Sequence, residues 1–345
     1  MNSPSPAARY LRQMRFPAIG EAGQAGIGQG RVVLVGCGAL GAGIAEMLVR
    51  SGVGTLVLVD RDVVDETNLG RQSTYTEADV RQRLPKAAAL AAHLASFNPL
   101  VSVIPEVAEF TVGNAERLLD GAQLVLDGTD NLETRYLIND LCVRAGVPWI
   151  YGACVGASGM TATVIPGETP CLRCLFPDPP PPGTLETCET AGIIAPAAML
   201  VASVQVAEAL KWLSGAHGAM RRSLLRFELW PWRTLELGAG SKPRPDCPCC
   251  AQREFSFALA TANPRAAVLC GRNAVQIRFL AQGQVDLGSL AERLGRIHQV
   301  QRNDWILHFE AERVHFTIFE DGRALLSGVN DPVAARSLFD RVVGS

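Results

Sequence analysis

The stretch RVVLVG (31–36) is a continuous apolar run of the length of one buried strand. GALGAGIAEMLVRSGV after it switches to apolar positions at helical spacing, and TLVLVD (55–60) returns to a short apolar run. PKAAALAAHLASFN (85–98) predicts a helix with proline at its start, where a missing N–H costs nothing. VSVIP, QLVLDGTD and PWIYGACV (148–155) predict further strands, with helices over about 113–120 and 131–146. This alternation predicts an α/β fold with a doubly wound, Rossmann-like and mostly parallel sheet.

The pattern changes after residue 156. GMTATVIPGE, SLLRFELWPW and TLELGAG alternate like strands of an antiparallel extension, with a long helix over 190–214 between the first two. The proline-rich run 177–182 predicts an exposed, semi-rigid loop. GSKPRPDCPCC (240–250) has the polar turn residues of a domain end. The expected organisation is a first domain over 1–250, a linker over 251–262 and a small α+β domain over 263–345. In that last part FEDGRAL predicts a tight turn between two strands, and DPVAARSLFDRVV a helix.

Composition narrows the class only a little. The chain has 345 residues, 48% hydrophobic and 19% charged, with a formal net charge of −2, which gives no sign of a nucleic-acid surface. MNSPSPAARYLRQMRF lacks the apolar stretch of a signal peptide, so a cytoplasmic location is expected. Thr190 to Ala207 carries no charge, but Pro196, Ser203 and Gln205 lie inside it and Glu208 and Lys211 follow. A buried helix fits that segment better than a membrane span. Ten cysteines in a reducing compartment argue for metal ligation or chemistry rather than disulfides.

The chemistry starts at GCGALG. Gly36, Gly38 and Gly41 follow a strand and open a helix, so backbone N–H groups can approach a phosphate chain at the positive helix end. Asp60 ends the next strand, where a carboxylate can accept ribose hydroxyls. DRDVVDETNLGRQ puts Asn68, Arg71 and Gln72 on the loop beyond, and Lys86 begins a helix nearby. DGTDN puts Asp127 and Asp130 at the C-terminal end of a later strand. Cations and a carboxylate converging on one sheet edge suit a triphosphate with Mg²⁺, without saying which nucleotide. A nicotinamide-dependent dehydrogenase needs none of these charges and needs a proton donor that the sequence does not offer. PCLRC (170–174) is by spacing alone a redox pair, half of a metal site, or chance.

Taken in order, RYLRQ, GCGALG, LVDRDVVDETNLGRQ, LPK, DGTDN, PCLRC, TCETAG and DCPCC resemble the ThiF/MoeB/HesA family of ubiquitin-activating-like adenylyltransferases over about residues 9–250. The resemblance implies adenylation of the C-terminal Gly-Gly carboxylate of a ubiquitin-fold sulfur carrier, with release of pyrophosphate. It implies Asp60 on the ribose, Asn68, Arg71 and Lys86 on the phosphates, and Asp130 on Mg²⁺. Arg12 would reach into the partner subunit's site of a homodimer. Cys171, Cys174, Cys247 and Cys250 match the family's zinc knuckle and would hold a structural Zn²⁺, with Cys249 an extra thiol inside the second pair. Cys188 matches a cysteine that, in members passing the activated carrier on, forms a covalent link; a thiol there, ahead of a helix, is favoured as thiolate. A cysteine desulfurase or sulfurtransferase would then supply sulfur. Thiamin thiazole synthesis is favoured over molybdopterin synthesis because some thiamin-type members carry a similar tail with CGR…VQI. A non-catalytic heterodimer scaffold is the rival class, and intact Arg12, Arg71, Lys86 and Asp130 argue against it. Cys37, Cys142, Cys154 and Cys270 read as inert buried thiols, and His93, His298, His308 and His315 as packing or surface residues.

Overall fold

The computed structural model of the chain describes residues 6–181, 190–237, 242–259, 266–269, 273–279 and 284–344. It divides into two compact units, Met1–Ala260 and Thr261–Ser345.

The first unit opens with two helices, α1 (Pro6–Met14) and α2 (Gly20–Gln29), that precede any strand. Then follow β1 (Arg31–Val35), α3 (Ala39–Ser51), β2 (Thr55–Val59), a 3₁₀ turn (Glu66–Asn68), α4 (Glu77–Arg81), α5 (Lys86–Phe97) and β3 (Ser102–Glu106). The second half runs α6 (Val112–Leu119), β4 (Leu124–Asp127), α7 (Leu132–Ala145), β5 (Trp149–Val155), β6 (Ser158–Val164) and α8 (Leu172–Leu175). It ends with α9 (Ala195–Leu213), β7 (Leu224–Leu229), β8 (Trp232–Leu237) and α10 (Ser256–Leu259).

One eight-stranded sheet carries all of this, in the order β3-β2-β1-β4-β5-β6-β7-β8. The pairs from β3 to β5 are parallel and those from β5 to β8 antiparallel, which is the expected doubly wound sheet with its extension. The strands are apolar on both faces because helices cover both. Val32, Leu34, Leu56 and Leu58 share one core with residues of α3, α5 and α9. Val33, Val35, Val57 and Val59 turn the other way, into a core with α6 and α7. Register sets the site: Val35 is level with Val59 on one side and with Asp127 on the other. Residues 36, 60 and 128 therefore leave the sheet side by side, where the strand order reverses and a crevice opens.

Two differences from the periodicity have local causes. The uncharged helix begins at Ala195 and not at 190, because Gly192 has φ +74° and Ile193 bridges Gly156. Among the described residues no helix is long and apolar enough to cross a membrane. Residues 256–259, inside the stretch read as a linker, form α10, whose Phe257 N–H donates to Asp140 Oδ2 of α7 at 2.9 Å.

The second unit is the small α+β fold that the sequence predicts. Its elements are β9 (Ala266–Leu269), β10 (Ala274–Arg278), α11 (Leu287–Leu294), β11 (Val300–Arg302), β12 (Ile306–Ala311), β13 (Val314–Phe319), β14 (Arg323–Ser327) and α12 (Pro332–Val342). They form an antiparallel sheet in the order β11-β12-β13-β14-β10-β9. Phe309, Phe316 and Leu326 pack with Leu290 and Leu294 of α11 and Phe339 of α12. Gly322, at φ +77°, makes the turn in FEDGRAL.

Candidate active site and cysteine cluster

The glycine motif is held open by close packing and not by its own flexibility alone. A Cβ on Gly41 would lie 1.9 Å from Gly36 O, and one on Gly36 only 2.6 Å from Gly128 C. Gly36 itself sits at φ +91°, a conformation that side chains disfavour. Gly38 is the N-cap of α3, so the first N–H groups of that helix face the crevice without intrahelical acceptors.

Asp60 braces this loop. Its Oδ2 accepts from Cys37 N at 2.6 Å and its Oδ1 from Asp62 N at 2.7 Å. Burial pushes its carboxyl above the usual range, with the neighbouring Asp62 adding to this and Lys86 opposing it. Lys86 is 4% exposed, and its Nζ lies 3.2 Å from Asp62 Oδ2. Tyr75, a buried residue that no motif marks, ties the two together: its hydroxyl lies 2.8 Å from Cys37 O and 3.2 Å from Lys86 O. Asn68 caps its own turn, accepting from Asp65 N through Oδ1. Arg71 donates to Thr67 O at 2.7 Å, and Gln72 is buried beside Gly38. The structure thus brings Gly36, Gly38, Gly41, Asp60, Asn68, Arg71, Gln72 and Lys86 to one edge of β1 and β2.

Asp130 lies just beyond β4 on the same edge and is exposed. Asp127, the other aspartate of DGTDN expected at the ligand, differs from Asp130 in its surroundings. Its side chain is wholly buried: Oδ1 accepts from Thr129 N and Oγ1, Oδ2 from Arg135 Nε at 3.1 Å and Gly152 N at 3.4 Å. Those bonds occupy it beneath the surface, so it shapes the loop that presents Asp130. Arg135 is the second residue that sequence reasoning misses; its Nη2 also donates to Thr129 O. The signal lay in the spacing, since Arg135 falls in the first turn of the helix that Asn131 caps.

Arg12 does not join this group. Its neighbour Tyr10 is seated on Gly52, where a Cβ would come within 2.4 Å of the ring, and its hydroxyl accepts from Asn98 Nδ2. Gly52 follows the C-terminus of α3, about 20 Å of helix away from the glycine loop. Arg12 is exposed there. Cys188 and Cys270 lie outside the described residues. His93 pairs with Asp79 at 2.9 Å, and His308 bonds Thr317 Oγ1 within its own sheet.

The two C-x-x-C pairs do meet. The Sγ atoms of Cys171, Cys174, Cys247 and Cys250 lie within 4.8 Å of one another, with Cys171 3.6 Å from Cys247 and Cys174 3.4 Å from Cys250. Sulfurs around a tetrahedral metal with bonds of about 2.3 Å stand roughly 3.8 Å apart, so four thiolates converging here can hold a metal ion. Cys249 is outside the set. It is buried and its Sγ accepts from Asn139 Nδ2 at 3.2 Å, while Asn139 Oδ1 takes Leu172 N.

The ThiF family profile matches residues 10–249. A Bacillus subtilis protein named sulfur carrier protein ThiS adenylyltransferase is 43% identical over 337 residues, 97% of this chain and 99% of its own. A Thermus thermophilus sulfur carrier protein adenylyltransferase is 39% identical over 256 residues, 72% of this chain and 93% of its own. Among solved structures, Escherichia coli MccB superposes with a TM-score of 0.62 at 21% identity, covering 72% of this chain and 74% of that one, a likeness of fold.

Proposed function

The chain belongs to the ThiF family, and from that premise we propose how its site adenylates a sulfur carrier protein. The observation that carries the reading is the likeness, through both units, to a named ThiS adenylyltransferase. The enzyme is a nucleotidyltransferase that uses ATP. The carrier that we assign is a ubiquitin-fold protein ending in Gly-Gly, of the thiamin thiazole type, and the compartment is the cytoplasm.

In our reading the carrier's terminal carboxylate attacks the α-phosphorus of ATP, the bond to the bridging oxygen breaks, and pyrophosphate leaves with the electron pair. The nucleophile is already ionised, so no histidine base is needed. The obstacle is charge: an anion approaches an anion, and the leaving group gains charge. In this reading Arg71, Lys86 and the N–H groups at the start of α3 meet that charge, a preorganised arrangement of the kind that lowers such barriers. Asp60 serves the ribose while its own bonds hold the loop. Asp130, an exposed carboxylate at the strand end, suits Mg²⁺, which takes one or two carboxylates plus substrate phosphates and would offset charge on the phosphates. Zn²⁺ is the ion that these four thiolates, three of them buried and one half-buried, fit best, in a closed structural site. Arg12, stationed on the far side of its own fold, serves the site of a second copy in a homodimer. Cys188 carries any covalent step after adenylation, with sulfur supplied by a desulfurase or sulfurtransferase.

Carrier-dependent ATP–pyrophosphate exchange tests the whole reading. Asp130→Ala should lower exchange by about a hundredfold or more; exchange near the wild-type rate in that variant would refute the assignment of Asp130.

A further inference from the structure

The second cysteine pair brings an extra sulfur to the edge of the cluster. Cys249 stands between Cys247 and Cys250 and is wholly buried. Its thiol interacts with that of Cys171, although it is not one of the four sulfurs that converge. A tetrahedral ion takes four ligands, so a fifth thiol this close is a competitor. Asn139 of α7, also wholly buried, keeps it apart. Asn139 Nδ2 donates to Cys249 Sγ at 3.2 Å, and Asn139 Oδ1 accepts from Leu172 N at 2.8 Å. Leu172 is the first residue of α8, whose N-cap is Cys171. One amide therefore spends one end on each cysteine segment. The next residue, Asp140, accepts through Oδ2 from Phe257 N at 2.9 Å and Ala258 N at 3.4 Å, so α7 also fixes the chain that leaves the second pair. If Cys249 turned toward the other sulfurs, Asn139 would be left with a buried N–H and no acceptor, a cost that opposes the exchange.

We propose that Asn139 is a positioning residue that selects the ligands of the metal: it holds Cys249 out of the set while it seats the first cysteine pair against the second. This rests on the metal reading of the cluster and adds to it the residue that decides which thiols are used. Groups that orient ligands without binding the ion change metal affinity by about 10- to 100-fold when they are removed. Cys249 is then a latent ligand, kept from the ion by a hydrogen bond and not by distance along the chain.

Titration of the full chain with Co²⁺ tests this, after metal removal under reducing conditions and against a chelator of known affinity. Co²⁺ stands in for Zn²⁺, and its sulfur charge-transfer absorption reports how many thiolates bind. Cys249→Ala alone should leave affinity and spectrum within about twofold of wild type; a larger loss would make Cys249 a ligand and overturn the proposal. Asn139→Leu keeps the volume, removes both hydrogen bonds and should weaken Co²⁺ binding by roughly tenfold or more. Adding Cys249→Ala to it should recover about threefold or more of that loss, because the competing thiol is gone. A packing role alone predicts no such recovery. Unchanged affinity in Asn139→Leu, or no recovery in the double variant, overturns the proposal and leaves the metal reading standing. Cys250→Ser carries the test if Asn139→Leu does not fold. With Asn139 in place Cys249 must not replace the missing thiol, so weaker binding and a three-sulfur spectrum are expected. A four-sulfur spectrum that a further Cys249→Ala abolishes overturns the proposal. A wild-type protein that binds no Co²⁺ overturns both the proposal and the metal reading.

Discussion

Asp60 shows how much one carboxylate can be asked to do. Both of its oxygens already accept backbone N–H groups, from Cys37 and from Asp62, so it orders the glycine loop before any ligand arrives. Asp60→Asn keeps the shape but turns one acceptor into an NH₂ that faces a donor. The mispairing should cost about 1–3 kcal/mol, seen as a weakening of ATP binding by roughly tenfold or more with the fold retained. Binding within a factor of two of wild type would show that the loop holds itself. Asp79 gives a pH signature. Burial opposes its charge, but hydrogen bonds from His93 and Thr76 outweigh that and hold its carboxyl below the usual value of 3.8. A carboxylate depressed in the folded state contributes stability above its unfolded pKa and loses it as pH falls through the folded one. Asp79→Ala should therefore cost about 1 kcal/mol near neutral pH, through the lost cap of α4, and the gap from wild type should close below about pH 4. A gap constant from pH 7 to pH 3 in thermal melts would rule this out. At this scale the sequence showed the residues at strand ends, because motif spacing marks them. It did not show Tyr75 or Arg135, whose contacts are made by side chains meeting across 38 residues in one case and beneath a loop in the other.

The elements that carry the site differ in how far local signals specify them. β1, β2 and α3 are announced by apolar runs and glycine spacing, and packing then leaves no slack. Gly41→Ala would set a Cβ against Gly36 O at 1.9 Å, so α3 or the loop must shift. The expected result is loss of ATP binding greater than that of Asp60→Asn; a crystal structure of the variant with an unmoved loop and normal binding would contradict it. α2 is the opposite case. GEAGQAGIGQ is rich in glycine, a poor helix former. It is helical because its glycines allow close approach to the end of α9: a Cβ on Gly26 would lie 2.6 Å from Leu213 O. The cysteine pairs lie in between. Each C-x-x-C is visible alone, but only the fold seats Cys171 against Cys247 and sends Cys249 to Asn139. Metal analysis should find about one Zn²⁺ per chain, and strong chelation should lower the thermal midpoint, because the ion links segments distant in sequence. A metal-free protein of equal stability would dismiss the metal.

For the whole molecule, the site residues all fall in the unit Met1–Ala260, and the Thermus relative is spanned almost entirely by a match of 256 residues. A chain of residues 1–260 should thus keep carrier-dependent exchange within about threefold of the full chain, since the electrostatics of the site belong to the first unit. A folded truncation without exchange would give the second unit a part in the reaction. Arg12, on the far side of its own fold, makes a different prediction. Mixing Arg12→Ala with Asp130→Ala chains should restore some activity in hybrid dimers, and no recovery after proven subunit exchange would place Arg12 outside the reaction. The sequence by itself determined the strand–helix alternation of the sheet, the glycine loop, the charges at the strand ends and the paired cysteines, because each rests on neighbours within one or two turns of chain. Tertiary structure alone decided which of those charges reach the crevice. Register put Asp127 level with Val35, so Arg135, Thr129 and Gly152 could close over its carboxylate and leave Asp130 outside. No local pattern carries that distinction, since the two aspartates differ only in what the rest of the chain folds around them.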